Sequence, residues 1–207
     1  MTHPDNPTGS NQRSSELAAL IERLADKSLA QRELAASEIF RIGRERAIRC
    51  LRGWFSDPAV LSLFVLDKGD FPRTTVGVAV EPQNFERIRT ANGLPRLADV
   101  PADLNAREFE IDVMPDVRLD ILTTRDARAD GAIARFLRKL GEGIQQVELE
   151  VRSVDRASAM LRDRFRIALI YSDARSGADR TRVNFFLLPD GNEKLLIELV
   201  ESPGAPH

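Results

Sequence analysis

The apolar residues of this chain first keep the spacing of helices and then switch to that of strands. Leu17, Leu20, Ile21 and Leu24 recur at i, i+3, i+4 and i+7, which makes one stripe on a helix starting near Ser15. Ser28 followed by Gln31 has the spacing of a capping box and opens a second helix through Leu34, Ile39 and Ile42, with Gly43 as its break. A third helix is expected from Arg44 towards Trp54. Asp57-Pro58 then supplies an N-cap and a first-turn proline for a short fourth helix through Leu61, Phe64 and Val65. Residues 15–66 therefore form a helical segment, preceded by a polar leader, 1–14, with the composition of a disordered stretch.

From Phe71 the period falls to two. Thr74 to Val80 is a strand pattern, Asn84 to Arg89 a short helix ending near Asn92-Gly93, and Glu108 to Met114 with Val117 to Thr123 a hairpin around Pro115-Asp116. A linker helix, 130–140, carries Ile133, Phe136, Leu137 and Leu140 on one face and ends at Gly141. The order then repeats. Ile144 to Val151, Ile167 to Ser172, Thr181 to Leu188 and Lys194 to Glu201 read as strands, and Val154 to Phe165 as a helix; Pro189-Asp190-Gly191-Asn192 is a turn. Two successive strand–helix–strand–strand–strand units, 72–124 and 143–202, make up one domain over 72–202.

Composition narrows the function classes. The 207 residues are 43% hydrophobic and 30% charged, with a net charge of −2, as expected of a soluble globular chain with no bias towards nucleic acid or an anionic membrane. No apolar run is long enough to span a bilayer, and Cys50 is alone, so a reducing, cytoplasmic setting is expected. Cys50 itself reads as a small apolar residue on a helix, and Trp54 and Tyr171 as core aromatics. The only histidines are His3 and His207, one in each polar terminus, so no imidazole is expected at an interior site.

Two resemblances follow from these motifs. Ala35, Ala36, Ile39, Ile42 and Gly43, with the Asp57-Pro58 helix start, resemble a unit of a HEAT-type helical repeat. One or two such units cannot form a solenoid, so a cap packed on the following domain or on a second subunit of a homodimer is expected instead. Ile133-Ala134-Arg135-Phe136-Leu137, the Gly141-Glu142-Gly143-Ile144 run and Leu196-Ile197-Glu198-Leu199, set in the doubled unit, resemble the vicinal oxygen chelate superfamily, the glyoxalases and above all the methylmalonyl-CoA epimerases, over about 74–201. The resemblance implies an α+β fold in which two paired βαβββ units form an incomplete barrel around one cavity. It also implies a divalent metal held by one residue from each of four strands, which promotes proton transfer beside a carbonyl.

Carried over residue by residue, the implied ligand positions fall on Thr75, Asp120, Gln146 and Glu198, and a catalytic glutamate falls near Glu110. Only Glu198 keeps the family's residue type. Period-two geometry adds Glu148 and Glu150 to the face of Gln146, Arg118 to that of Asp120, and the pair Arg182 and Asn184. Three readings remain open: a hard cation such as Mg²⁺ or Mn²⁺ held weakly by Asp120, Gln146 and Glu198 with no cofactor tightly bound, metal-free acid–base work by Glu198 with Asp120 or Glu110, and a salt-bridge network closing a dead site. The function expected is binding of a small organic ligand, an acyl thioester or oxo acid, with epimerase-like isomerase or glyoxalase-like lyase chemistry. The alternative is a non-catalytic interaction or regulatory protein with a degenerate site. The loop Ser172 to Arg180 reads as a solvated hairpin loop, since its charges nearly cancel.

Overall fold

In the computed structural model, which describes residues 8–67, 71–126, 128 and 130–203, the chain enters as helix α1 (Thr8–Arg23), well before Ser15. The first seven residues of the leader lie outside the described residues. Helix α2 (Leu29–Leu51) runs through Gly43 without interruption, so the two helices expected there are one. Gly43 marks a close approach instead: a Cβ there would stand 2.7 Å from both γ-carbons of Val76. The capping box is also not formed. Ser28 has extended backbone but makes no side-chain cap, and its own N–H donates to Asp26 Oδ1 at 2.7 Å. At α3 (Pro58–Leu61) the cap is real, Asp57 accepting from the Ala59 N–H at 2.9 Å, but the helix stops short of Phe64 and Val65. There the chain is extended, with single bridges from Phe64 to Val151 and from Leu66 to Pro72.

The remaining elements are β1 (Thr74–Ala79), α4 (Pro82–Ala91), β2 (Ala106–Met114), β3 (Val117–Thr124), α5 (Ala132–Leu140), β4 (Gly143–Glu150), α6 (Val154–Phe165), β5 (Arg175–Ser176), β6 (Arg182–Asp190) and β7 (Glu193–Glu201). They form one mixed sheet in the order β2-β3-β1-β4-β7-β6-β5. The order is symmetric about the antiparallel β1/β4 pair, for β1 pairs β3 in parallel as β4 pairs β7, and each partner closes a hairpin, β2/β3 and β6/β7. The paired-unit α+β architecture is thus present. Its units differ from expectation in two places. Residues 167–172 are not a strand, because Leu169 makes only one bridge, to Phe186, and the short strand lies later at β5. In the first unit the chain between α4 and β2 holds a 3-10 turn, Ala102–Leu104, and no described strand.

The two faces of the sheet do different work. On one, Val76, Val78, Leu119, Ile121, Val147, Leu149 and Ile197 pack with α1, α2, α4 and α6 into the main core, Ile39, Phe85, Ile88 and Leu161 among them. Trp54 belongs to this layer, with ring centroids 5.3 Å from Phe165 and 5.6 Å from Phe186. On the other face a small cluster of Ala79, Leu122, Ile133 and Leu137 seats α5 against one end of the sheet and leaves the rest open. No helix among the described residues is long and apolar enough to cross a membrane.

Candidate functional site

The open face of the curled sheet encloses a cavity of about 750 Å³. Strand register decides what lines it. Glu110 lies across from Asp120, Asp120 beside Gly77 and Gly77 beside Gln146; one level along, Thr75 pairs with Glu148, Glu148 with Glu198 and Glu198 with Phe185. A bulge in the β1/β4 pair breaks the alternation: Gly77 opposes Gln146 and Val78 opposes Ile144, so Gln145 is the extra residue. Both Gln145 and Gln146 consequently line the cavity. Gly77 makes room for this, since a Cβ there would meet Gln146 Cγ at 2.6 Å.

Gln146 ties the acids together. Its Nε2 donates to Glu148 Oε1 at 3.0 Å and to Glu198 Oε2 at 2.5 Å, and Glu148 in turn shares a hydrogen bond with Asp120. Protein surrounds these carboxyl groups on all sides but the cavity, and burial is the first cause of every shift among them. Asp120 is held well above the usual carboxylate range, with Glu148 adding to the effect, and Glu198 likewise, with repulsion from Glu108 and Asp120. Glu148 is pushed up to about 8 by burial and by Glu198, although its hydrogen bonds from Asp120 and Gln146 pull the other way. Glu108 also rises to about 8, through burial and then the charges of Asp120 and Asp179. Glu110 stands at the rim, where partial burial of its carboxyl and the charge of Asp112 raise it and Arg118 draws it back. Glu108 and Glu148, at about 8, exchange protons near neutrality.

The arginines around the cavity are engaged elsewhere. Arg73 meets Asp67 at 3.4 Å and Glu150 at 3.1 Å, Arg96 meets Asp179 at 2.6 Å, and Arg175 pairs with Asp103. Arg118 Nη2 meets Asp67 at 3.0 Å, while its Nε is buried without a partner.

Thr75, Glu110, Arg118, Asp120, Gln146, Glu148 and Glu198 all border this one cavity. Arg182 and Asn184 do not. Phe185, not Asn184, lies opposite Glu198, so Val183 and Phe185 face the cavity. Asn184 is fully buried on the other face, donating to Tyr171 O at 3.2 Å, and Arg182 pairs outside with Asp155 and Glu201. Tyr171 is a wall residue rather than a core aromatic, with the Arg175 guanidinium 4.8 Å from its ring centre. The loop 172–180 folds inward too, for Asp179 accepts from Arg96 and from the Asp99 N–H at 2.9 Å and lines the cavity. Sequence reasoning missed Glu108 and Gln145. The first shares Glu110's parity and was legible; the second depends on the bulge. Cys50 lies on α2, half-buried, its thiol donating to Pro189 O at 3.3 Å and pushed up in pKa by burial.

The residues present do not fit the divalent metal that the family resemblance implies. Among the described residues no group of three or more His, Cys, Asp or Glu side chains is arranged to hold a metal ion. Between Glu148 and Glu198 lies an amide nitrogen, a donor where a metal needs an oxygen.

Solved structures share the fold. Methylmalonyl-CoA epimerase from Mycobacterium tuberculosis is 30% identical, the match covering 62% of this chain and 87% of that one, with a TM-score of 0.52. A methylmalonyl-CoA epimerase in complex with methylmalonyl-CoA and NH4+ is 25% identical over 65% of this chain and 97% of its own, TM-score 0.52. A variant of the Streptomyces coelicolor methylmalonyl-CoA epimerase in complex with 2-nitronate-propionyl-CoA matches in fold at 24% identity, covering 65% and 99%, TM-score 0.50. No family model and no curated protein matches the chain.

Proposed function

We propose, for a chain that belongs to the vicinal oxygen chelate family, that its cavity binds a small acyl thioester or oxo acid and moves a proton at the carbon beside the carbonyl. The observation that carries this reading is the line of acids from Asp120 through Glu148 and Gln146 to Glu198, which crosses from one unit to the other on a cavity wall. Asp120 and Glu198 sit on β3 and β7, strands that the symmetry of the sheet relates. A carbon acid held between them gives its proton to one carboxylate and takes one back from the other. Repulsion from Asp120 adds to burial in raising Glu198, so the two carboxyl groups differ in how firmly they hold a proton, as an acid and a base must. Arg118 Nε, buried and without an acceptor, is the donor for the carbonyl oxygen as negative charge gathers there. Glu110 at the rim exchanges protons between Asp120 and solvent. The complex of a relative with methylmalonyl-CoA supports an acyl thioester as the ligand class.

The test is α-proton exchange in D2O, followed by NMR, with methylmalonyl-CoA, propionyl-CoA and a 2-oxo acid. Exchange is expected to persist in a chelator, and Glu198→Gln should slow it by about 10²-fold or more, the usual weight of a positioned acid–base group. A folded protein that exchanges none of these protons overturns the enzymatic reading and favours the non-catalytic alternative.

A further inference from the structure

Once its acids ionise, the inner wall of the cavity has more hydrogen-bond acceptors than the protein supplies donors. Glu108, Asp120, Glu148 and Glu198 come from four strands, and among the described residues none of them pairs with a lysine or arginine. Arg118 pairs with Asp67 and offsets Glu110, at the rim, while Arg73, Arg96, Arg135 and Arg175 answer to other carboxylates. Asp179, which also raises Glu108, is matched by Arg96 and leaves no cation over for the wall. One amide nitrogen, Gln146 Nε2, serves two of these acids.

An independent observation concerns the neighbouring residue. Gln145 is only 9% exposed, lines the same cavity, and its Oε1 has no hydrogen-bond partner. A buried acceptor without a donor is costly, and proteins seldom leave one. Here the bulge that turns Gln145 onto the wall creates it.

We propose that the ligand carries a protonated amine, whose N–H groups are taken up by this acceptor-rich wall. An ammonium brings three donors and a positive charge, a hydroxyl one donor and no charge, and a carboxylate only more acceptors. A metal ion would need these oxygens to converge on one point, which they do not. Hydrogen bonds of ordinary length make no such demand. The inference rests on the reading of this cavity as a ligand site, and it narrows the substrate to an amine-bearing acyl compound. It also sets the protonation of the wall. At neutral pH Glu108 and Glu148, both raised to about 8, mostly hold their protons. A cation arriving beside them favours the ionised form, so binding releases protons to solvent.

The test is calorimetric titration of the whole protein at pH 7 with butylammonium, butanol and butyrate, in two buffers of different ionisation enthalpy. Butylammonium should bind at least about tenfold more tightly than either analogue, the scale of one charge-assisted hydrogen bond, and should release a proton on binding. Glu148→Gln and Glu198→Gln should each weaken it by a similar factor, and Gln145→Met by less, with circular dichroism unchanged. Butyrate or butanol binding as tightly, no binding of butylammonium, or binding indifferent to all three substitutions would overturn the proposal. The outcome is separable from proton exchange. An amine that binds without exchange removes the enzymatic reading alone, whereas exchange on thioesters with no preference for amines removes the amine alone.

Discussion

Glu148 shows how a single buried acid writes itself into the stability of the protein. In the folded chain it holds its proton up to about 8, against an ordinary value of 4.5. Between those values the native state binds a proton that the unfolded chain has lost. The stability this represents is fully present below the unfolded value and disappears as pH rises through the folded one. Glu108 acts in the same sense, and Asp120 and Glu198, also raised by burial, add to the loss. The melting temperature should therefore fall from about pH 5 to pH 8 and beyond. Glu148→Gln keeps the shape and removes the ionisation, so it should flatten that decline and raise the melting temperature at pH 8 by several degrees, at about 2–4 °C per kcal/mol for a chain of this size. Thermal scans across pH 5 to 9 decide it; a wild-type melting temperature that climbs steadily towards pH 8 would mean these acids are ionised in the native state. The alternation of β3, β4 and β7 made Asp120, Gln146, Glu148 and Glu198 legible as one face. It failed on β6, where Val183, Phe185, Phe186, Leu187 and Leu188 put apolar residues on both parities, so Arg182 and Asn184 could be assigned to the wrong face.

At the scale of elements, helix α2 against strand β1 is the contact most open to test. Gly43 costs the helix about 1 kcal/mol relative to alanine when exposed. Buried against Val76, it is what lets the two backbones approach, and a Cβ at 2.7 Å from both Val76 γ-carbons leaves no room. Val76 is fully buried and β-branched, with little freedom to turn aside. Overpacking therefore wins, and Gly43→Ala should destabilise the fold by about 1–3 kcal/mol in chemical denaturation. In a Val76→Ala background the same change should cost clearly less. An equal cost in both backgrounds would place the strain elsewhere. In sequence a glycine within a helical pattern marks a helix end as readily as a tight contact, and only the partner strand distinguishes the two. The strand expected at 167–172 failed for a related reason. Ile167 and Leu169 have the alternation, but the pairing edge is taken up at Arg175–Ser176, where hardly any apolar signal exists.

For the whole molecule, the two faces of the sheet set what the helical segment is for. The cavity needs the inner face left open, so the outer face must bury enough apolar surface to hold seven strands in place. Two helices of the repeated units, α4 and α6, cover part of it; α1 and α2 cover the rest, Ile21, Leu24, Ile39 and Leu51 joining Val76, Val147 and Phe186 in one continuous core. The matched epimerases are covered over 87% to 99% of their lengths, yet about a third of this chain lies beyond each match. A removable accessory would leave the sheet folded without it. The packing argues otherwise, because each apolar side chain re-exposed costs about 1.5–3 kcal/mol, and a handful of them exceeds the total stability of an ordinary domain. Deleting residues 1–56 should therefore yield protein that is aggregated, or that keeps strand signal in circular dichroism while losing its cooperative melt. Size-exclusion chromatography with thermal scans reads both outcomes. A soluble, cooperatively melting truncated chain would show the helices to be a separate addition, and the core that positions Asp120 and Glu198 would then have to be sought in α4 and α6 alone.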